Sequence, residues 1–167
     1  MIFRTFLAPA LACLACTTAW AQSGPATHTL RLLTPEAAQK VVNAALQECR
    51  KQGFQVAVAV VDRSGVAQAM VRDRFAGAHT PDVAINKAWT AASFRTETTD
   101  LARATQPGQA SSGLRSVARF TAVGGGVPIQ AAGSIIGAVG VSGAPSGDAD
   151  DACAKAGIAS VRDELEL

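Results

Sequence analysis

The chain has 167 residues, with fifteen Lys and Arg set against thirteen Asp and Glu, for a formal charge of +2. That is the length of one domain with one core, and the near-even charge excludes a broad basic surface for nucleic acid. Aromatic residues make up only 5 % and tyrosine is absent, which argues against a stacking platform for bases or sugars.

Met1 to Phe6 carries one positive charge, Arg4, and is followed by an apolar, small-residue run from Leu7 to Ala15. Ala19-Trp20-Ala21 then supplies a cleavage site before Gln22. Residues 1–21 are therefore expected to be a secretory signal peptide, too short for a permanent membrane anchor. Cys13 and Cys16 lie within it, and the residues three before them are Ala10 and Cys13 rather than the leucine that lipidation would favour. Loss of Arg4 with this segment lowers the charge from +2 to +1. The expected location of the mature chain is the periplasm or the exterior. Cys49 and Cys153 survive cleavage. In an oxidising compartment they could pair across about a hundred residues, or remain two buried thiols on separate helices; the sequence leaves both open.

Residues 22–33 are polar and mixed, and read as an arm. The domain follows from residue 34. Thr34-Pro35-Glu36 starts a helix, with Thr34 as N-cap and Pro35 at the first helical position. Ala38, Val41, Val42, Ala45 and Cys49 recur at helical spacing until Gly53 ends it. Gln55 to Val61 reads as a buried strand, Asp62-Arg63-Ser64-Gly65 as a hairpin turn, and Val66 to Arg74 as the returning strand with an exposed, charged end.

Ala76 to His79 is a loop, and Thr80-Pro81-Asp82 repeats the helix-start pattern. The helix from Pro81 to about Arg95 carries Ala84, Ala88, Ala91 and Ala92, small residues that permit close packing. A short helix follows through Ala104, then an exposed connection over Gln106 to Ser112. Val117 to Ala122 is expected as a further, weaker strand. Val127 to Ala131 and Ile135 to Val141 flank Ala132-Gly133-Ser134 and form a second hairpin. The later strand is apolar throughout except for Gly137 and Gly140, so it should lie at the centre of the sheet with something packed against its backbone. A last helix runs from about Ala149 to Arg162, followed by an acidic tail.

The glycine triplet Gly124 to Gly126 lacks a G-x-x-x-x-G-K-[ST] pattern and does not join a strand to a helix, so it reads as a bend rather than a phosphate cradle. The mature chain has no H-x-x-x-H or C-x-x-C, which speaks against a dedicated zinc site. No G-x-S-x-G accompanies His79 and Asp82, which speaks against a hydrolase triad. What remains is the rim formed by Arg72, Asp73, Arg74, His79 and Thr80. One reading is a charged hairpin end beside an N-cap, with Thr80 accepting from the amide of Asp82 or Val83 and His79 solvated. The other is a helix N-terminus facing two arginines, a place suited to anionic groups such as carboxylates, with the His79 imidazole able to ligate a metal centre.

Several ordered blocks resemble one family: Val58-Ala-Val-Val-Asp62-Arg-Ser-Gly65, Arg72-Asp73-Arg-Phe-Ala-Gly77, Asn86-Lys87-Ala-Trp-Thr-Ala-Ala92, Gly125-Gly-Val-Pro-Ile129 and Gly137-Ala-Val-Gly-Val-Ser-Gly-Ala144, with Asp148. This is the GlcG/HbpS family of haem-binding, haem-degrading-type proteins, and the resemblance spans about Thr34 to Val161. It implies an α/β (α+β) fold, a profilin-like three-layer α/β/α sandwich with a five-stranded antiparallel sheet, and a homo-oligomer. It also implies haem binding linked to iron sensing and peroxide-dependent haem breakdown in secreted members, while others sit beside glycolate or diol metabolism genes or are fused to corrinoid enzymes. In the secreted haem binders a threonine at this helix start is linked to the iron, and Thr80 occupies that position. His79, its neighbour, is chemically the better iron ligand.

The leading expectation is thus an exported haem-binding protein with iron near His79 or Thr80 and the propionates near Arg72 and Arg74. Lys87 joins these as a candidate cofactor-binding cation, and no catalytic residue is assigned. A second reading is an accessory protein or enzyme acting on a small organic acid, with Lys87 or His79 carrying a proton and the arginines holding the carboxylate. A third is a ligand-free structural oligomer.

Overall fold

The computed structural model describes residues 25–166, so the expected signal peptide lies outside the described residues. Four helices of two or more turns and four strands run in the order α1 (Pro35–Lys51), β1 (Ala57–Asp62), β2 (Ala67–Arg72), α2 (Thr80–Phe94), α3 (Thr98–Ala104), β3 (Gly126–Ala131), β4 (Ser134–Ser142) and α4 (Gly147–Ala159), with a single-turn α5 (Arg162–Leu165) last. Thr34 caps α1 as expected, its Oγ1 accepting from the Ala37 N–H at 3.2 Å.

All strands pair antiparallel in the order β2-β1-β4-β3. The sheet has four strands among the described residues, not five. Val117 to Ala122 is not a strand: a 3-10 turn over Ser112–Ser116 precedes it, and Arg119 takes a φ of 70°. Its backbone is held by a side chain instead, the Thr121 N–H donating to Thr90 Oγ1 at 2.9 Å. Phe120 packs edge-on against Phe94, and the Arg119 guanidinium lies 5.1 Å from the Trp89 ring centre. The segment is thus moulded to α2, which removes it from the sheet.

The two faces of the sheet differ in bulk, and β1 shows why. Val56, Val58 and Val60 face the larger core, together with Val139 and Val141 of β4 and the buried sides of α1 and α4. Ala57 and Ala59 alternate to the opposite face, against Ala84 of α2. Ala59 pairs with Gly140 on that face. A Cβ at Gly140 would sit 2.0 Å from the Ala84 carbonyl oxygen, so α2 rests directly on the β4 backbone. The large-residue face carries two helices and the small-residue face one closely seated helix, giving three layers.

The β3–β4 turn is Ala132-Gly133, with φ of 47° and 74°, the mirror-image turn that matches strand twist. Cys49 and Cys153 are bonded, with Cα atoms 5.5 Å apart, and join α1 to α4. The alternative of two separate buried thiols is thereby removed.

Candidate functional site

One end of the sheet gathers most of the residues that the sequence singles out. There the start of β1, the end of β2 and the end of β4 meet the N-termini of α2 and α4. Between them lies a cavity of about 620 Å³.

Its first wall is the loop from Arg72 to Thr80, which is tightly built. Asp73 is buried and accepts from Arg50 twice, at 2.7 and 2.8 Å, and from the Arg74 N–H at 2.8 Å. The Arg50 guanidinium, helped by the Arg74 amide, holds the Asp73 carboxyl down at about 2 against the opposing effect of burial. Arg72 Nη1 donates to the Ala76 carbonyl at 2.5 Å. This fastening leaves Phe75 79 % exposed at the mouth and His79 exposed beside it. The imidazole lies over Gly77, where a Cβ would meet His79 Cε1 at 2.7 Å.

Thr80 is the first residue of α2 rather than its N-cap. Its hydroxyl donates to the Gly77 carbonyl at 2.8 Å instead of accepting from the amide of Asp82 or Val83. The His79 side chain makes no capping bond either.

The floor is ionic. Lys87 lies seven residues after Thr80, two helical turns on, and so shares its face. Its ammonium donates to Asp150 Oδ2 at 2.8 Å and to the Val141 carbonyl at 2.9 Å. Both side chains of this pair are about 5 % exposed or less. Asp150 Oδ1 also accepts from the Ala144 N–H at 3.0 Å. Burial pushes the Asp150 carboxyl above its ordinary value, and the adjacent Lys87 charge opposes that rise. The wall opposite the loop is Gly53-Phe54-Gln55, where Gln55 Oε1 is buried without a hydrogen-bond partner.

Of the expected site residues, His79, Thr80 and Lys87 line the cavity, whereas Arg72 and Arg74 do not. Both arginines are exposed on the adjoining turn. Asp73 belongs to the rim expected from sequence, whereas Asp150, Gln55 and Arg50, the partner of Asp73, carry no signal in the sequence. The seven-residue spacing of Thr80 and Lys87 is a signal that could have pointed to the floor.

The glycine triplet serves as scaffold, as its sequence suggested. The Gly125 N–H donates to Asp151 Oδ1 at 2.5 Å and the Gly126 N–H to Thr98 Oγ1 at 2.8 Å, so neither amide is open to a phosphate. A second cavity of about 420 Å³ between β3 and the C-terminal helices contains none of the candidate residues. Its charged lining includes Glu97 and Lys155, which already neutralise each other at 2.9 Å. Among the described residues no group of three or more His, Cys, Asp or Glu could hold a free metal ion.

The sequence matches the family described as haem degrading protein HbpS-like over residues 33–159. It is 36 % identical over 113 residues to an uncharacterised 15.0 kDa protein from the dhaT-dhaS intergenic region of Citrobacter freundii, covering 66 % of this chain and 80 % of that protein. The fold is similar to the crystal structure of a double mutant of Streptomyces reticuli HbpS, with a TM-score of 0.76, 36 % identity and coverage of 90 % of this chain and 97 % of that one. It is also similar to a PduOC:haem complex, with a TM-score of 0.74, 30 % identity and coverage of 78 % and 95 %. The match extends through both hairpins, α2 and the Lys87–Asp150 floor, and the chain belongs to the HbpS-like family of haem-degrading proteins.

Proposed function

We propose that this protein binds haem at the mouth of the cavity, as an exported protein of haem or iron handling. The observation that carries the reading is an exposed imidazole, His79, beside an exposed phenyl ring, Phe75, at the lip of an open cavity. Phe75 and Val123 are both exposed at this lip, and a flat macrocycle would cover them together. The donor set fits: His79 would offer an imidazole nitrogen to the iron, Phe54, Val83 and Val123 would extend the apolar lip, and Arg72 and Arg74 beside the loop would offer charge to propionates. Bound haem would supply iron-centred ligand exchange and redox chemistry. Thr80 then acts by fixing the Gly77 carbonyl, and with it the loop that carries His79.

The similarity to a haem-complexed relative supports the same reading. So do the signal-peptide pattern before Gln22 and the Cys49–Cys153 bond, which suits an oxidising compartment. We read the assembly as a homo-oligomer, which light scattering tests. Export is tested by sequencing the N-terminus of the protein recovered outside the cytoplasm, which should begin at Gln22.

The decisive experiment is a haemin titration followed at the Soret band. Binding should saturate at one haem per chain, and His79→Ala should weaken it about tenfold or more. A Soret spectrum and affinity unchanged in both His79→Ala and Thr80→Ala would place the haem elsewhere. Addition of peroxide to the complex separates holding from breakdown, since breakdown bleaches the band.

A further inference from the structure

The Lys87–Asp150 pair carries chemistry that haem at the cavity mouth does not use. Lys87 is the buried lysine of this chain: its side chain is 3 % exposed, whereas those of Lys40, Lys51 and Lys155 are more than half exposed. It nevertheless lines the cavity, where a small molecule can reach it. Away from the cavity the chain closes tightly on the ammonium. A Cβ at Gly125, which is not in the lining, would meet Lys87 Nζ at 2.9 Å and the Val141 carbonyl oxygen at 2.5 Å. Nζ donates to Asp150 and to Val141, and its third hydrogen has no acceptor among the described residues.

A lysine nitrogen becomes a nucleophile once it gives up a proton, and a base at hydrogen-bond distance provides the route. Asp150 Oδ2 stands at 2.8 Å and belongs to the single carboxylate in the lining. Burial pushes this carboxyl upward, which suits it to hold a proton for part of a reaction. The pair is neutral as a unit, so the floor favours a reaction that ends with a cation on Nζ and an anion on Asp150, as it began. Imine formation with an aldehyde does this. Asp150 takes a proton from the ammonium, and the neutral amine attacks the carbonyl carbon to form a C–N bond. The carbonyl oxygen takes a second proton from the nitrogen, giving a carbinolamine. Asp150 returns its proton to that hydroxyl, the C–O bond breaks and water leaves. The product is a protonated imine with one N–H, facing the Asp150 carboxylate.

The lining also selects the carbonyl compound. Lys87 and Asp150 are its only Lys, Arg, Asp or Glu residues, and Phe54, Val83 and Val123 share the walls. With no second Lys or Arg in the lining to hold a carboxylate, the cavity suits an apolar tail better than an oxo acid. We propose that Lys87 forms a reversible imine with a short-chain aliphatic aldehyde that enters the cavity, with Asp150 carrying the proton. The proposal goes beyond the haem reading and does not rest on it.

The experiment treats the haem-free protein, disulfide intact, with hexanal and sodium cyanoborohydride, a hydride donor that turns an imine into a stable secondary amine. Peptide mapping then locates the product. At limiting hexanal Lys87 should be alkylated about tenfold faster than Lys40, Lys51 or Lys155, the reverse of their order of exposure. Its rate should also saturate as hexanal is raised. Asp150→Asn, with its melting temperature followed alongside, should slow alkylation of Lys87 about tenfold and leave the exposed lysines unchanged. Alkylation that follows exposure, with Lys87 the slowest, would overturn the proposal. So would equal rates at all the lysines, or a Lys87 rate that rises linearly with hexanal. These outcomes need only the wild-type protein, so they decide the matter even where Asp150→Asn does not fold. An unchanged Lys87 rate in the folded Asp150→Asn protein would overturn the part given to Asp150. The haemin titration is read separately, so failure of either reading is distinguishable from failure of the other.

Discussion

Lys87 and Asp150 lie 63 residues apart in sequence and meet at 2.8 Å beneath the cavity, both almost wholly buried. A buried ion pair is a weak stabiliser compared with an apolar pair of the same shape, because desolvating two charges offsets most of their attraction. Its presence at the floor of a cavity suits a role in binding better than one in stability. Breaking it is another matter. Lys87→Met should cost about 3–5 kcal/mol, since it strands a carboxylate in a buried site. The double variant Lys87→Met, Asp150→Leu should recover most of that loss. The Lys87→Met deficit should also depend on pH. Asp150 has a raised folded pKa, so the native state gains protons relative to the unfolded chain above its ordinary value of 3.8, and stability falls as pH rises through that window. Removing Lys87 removes the influence that opposes the rise. Melting temperatures of variant and wild type should therefore lie closer together at pH 4 than at pH 7. A gap that is constant with pH would show that Asp150 is not the group left exposed to the cost.

Asp73 predicts the opposite slope. Its carboxyl is held at about 2, below the ordinary 3.8, chiefly by the Arg50 guanidinium. A depressed folded pKa gives stability that is fully present above the unfolded value and is lost as pH falls toward the folded one. Between about pH 4 and pH 2 the wild-type protein should lose this contribution progressively. Asp73→Asn should be less stable at neutral pH and flatter across that acid window. The comparison is a series of thermal melts, and parallel curves for the two proteins would contradict the assignment.

Much of this architecture is legible in the residues themselves. Thr34-Pro35-Glu36 with apolar residues at helical spacing specifies α1, and Ala132-Gly133 between two apolar runs specifies the central hairpin. The bulk alternation of β1, Val against Ala, even encodes which face takes the single close helix. Val117 to Ala122 misleads because its short apolar content resembles a strand, while its conformation is decided by Thr90, Trp89 and Phe94 on α2, contacts that no local pattern records. The site divides in the same way. His79, Thr80 and Lys87 sit on one loop and one helix face, so local chemistry finds them. Asp150 and Gln55 reach the cavity only through the β1–β4 pairing and the seat of α4, and Arg72 turns back onto Ala76 in a bond that depends on the exact path of the loop.

The disulfide should matter to more than one wall of the cavity. Cys49 precedes Arg50, the partner of Asp73, and its carbonyl accepts from the Phe54 N–H at 2.9 Å. Cys153 lies one helical turn beyond Asp150. Closing a separation of 104 residues restricts the unfolded chain, which in the chain-entropy view corresponds to about 4–5 kcal/mol. Cys49→Ser with Cys153→Ser should lower stability by about 2–5 kcal/mol in urea unfolding. Reduction of the wild-type protein should reproduce most of that loss. Equal midpoints for the oxidised and reduced protein would remove the bond from the account of stability.

Gly140 tests whether the seat of α2 controls the site at a distance. A side chain there would meet the Ala84 carbonyl oxygen at 2.0 Å and the Ala88 nitrogen at 2.7 Å, both backbone atoms that cannot swing aside. Gly140→Ala must lift α2 from the sheet, and overpacking of this kind typically costs about 1–3 kcal/mol. The same displacement carries Thr80 and Lys87 with the helix, so the loop that bears His79 and the ion pair at the floor should both loosen. Gly53→Ala is the useful contrast. Its Cβ would enter open space, and its cost comes only from a φ of 81°, about 1–2 kcal/mol. At matched loss of melting temperature, Gly140→Ala should weaken haemin binding more than Gly53→Ala does, although Gly53 lies in the cavity wall and Gly140 does not. If affinity instead tracks melting temperature alone, the position of α2 on β4 is a matter of stability and not of the site.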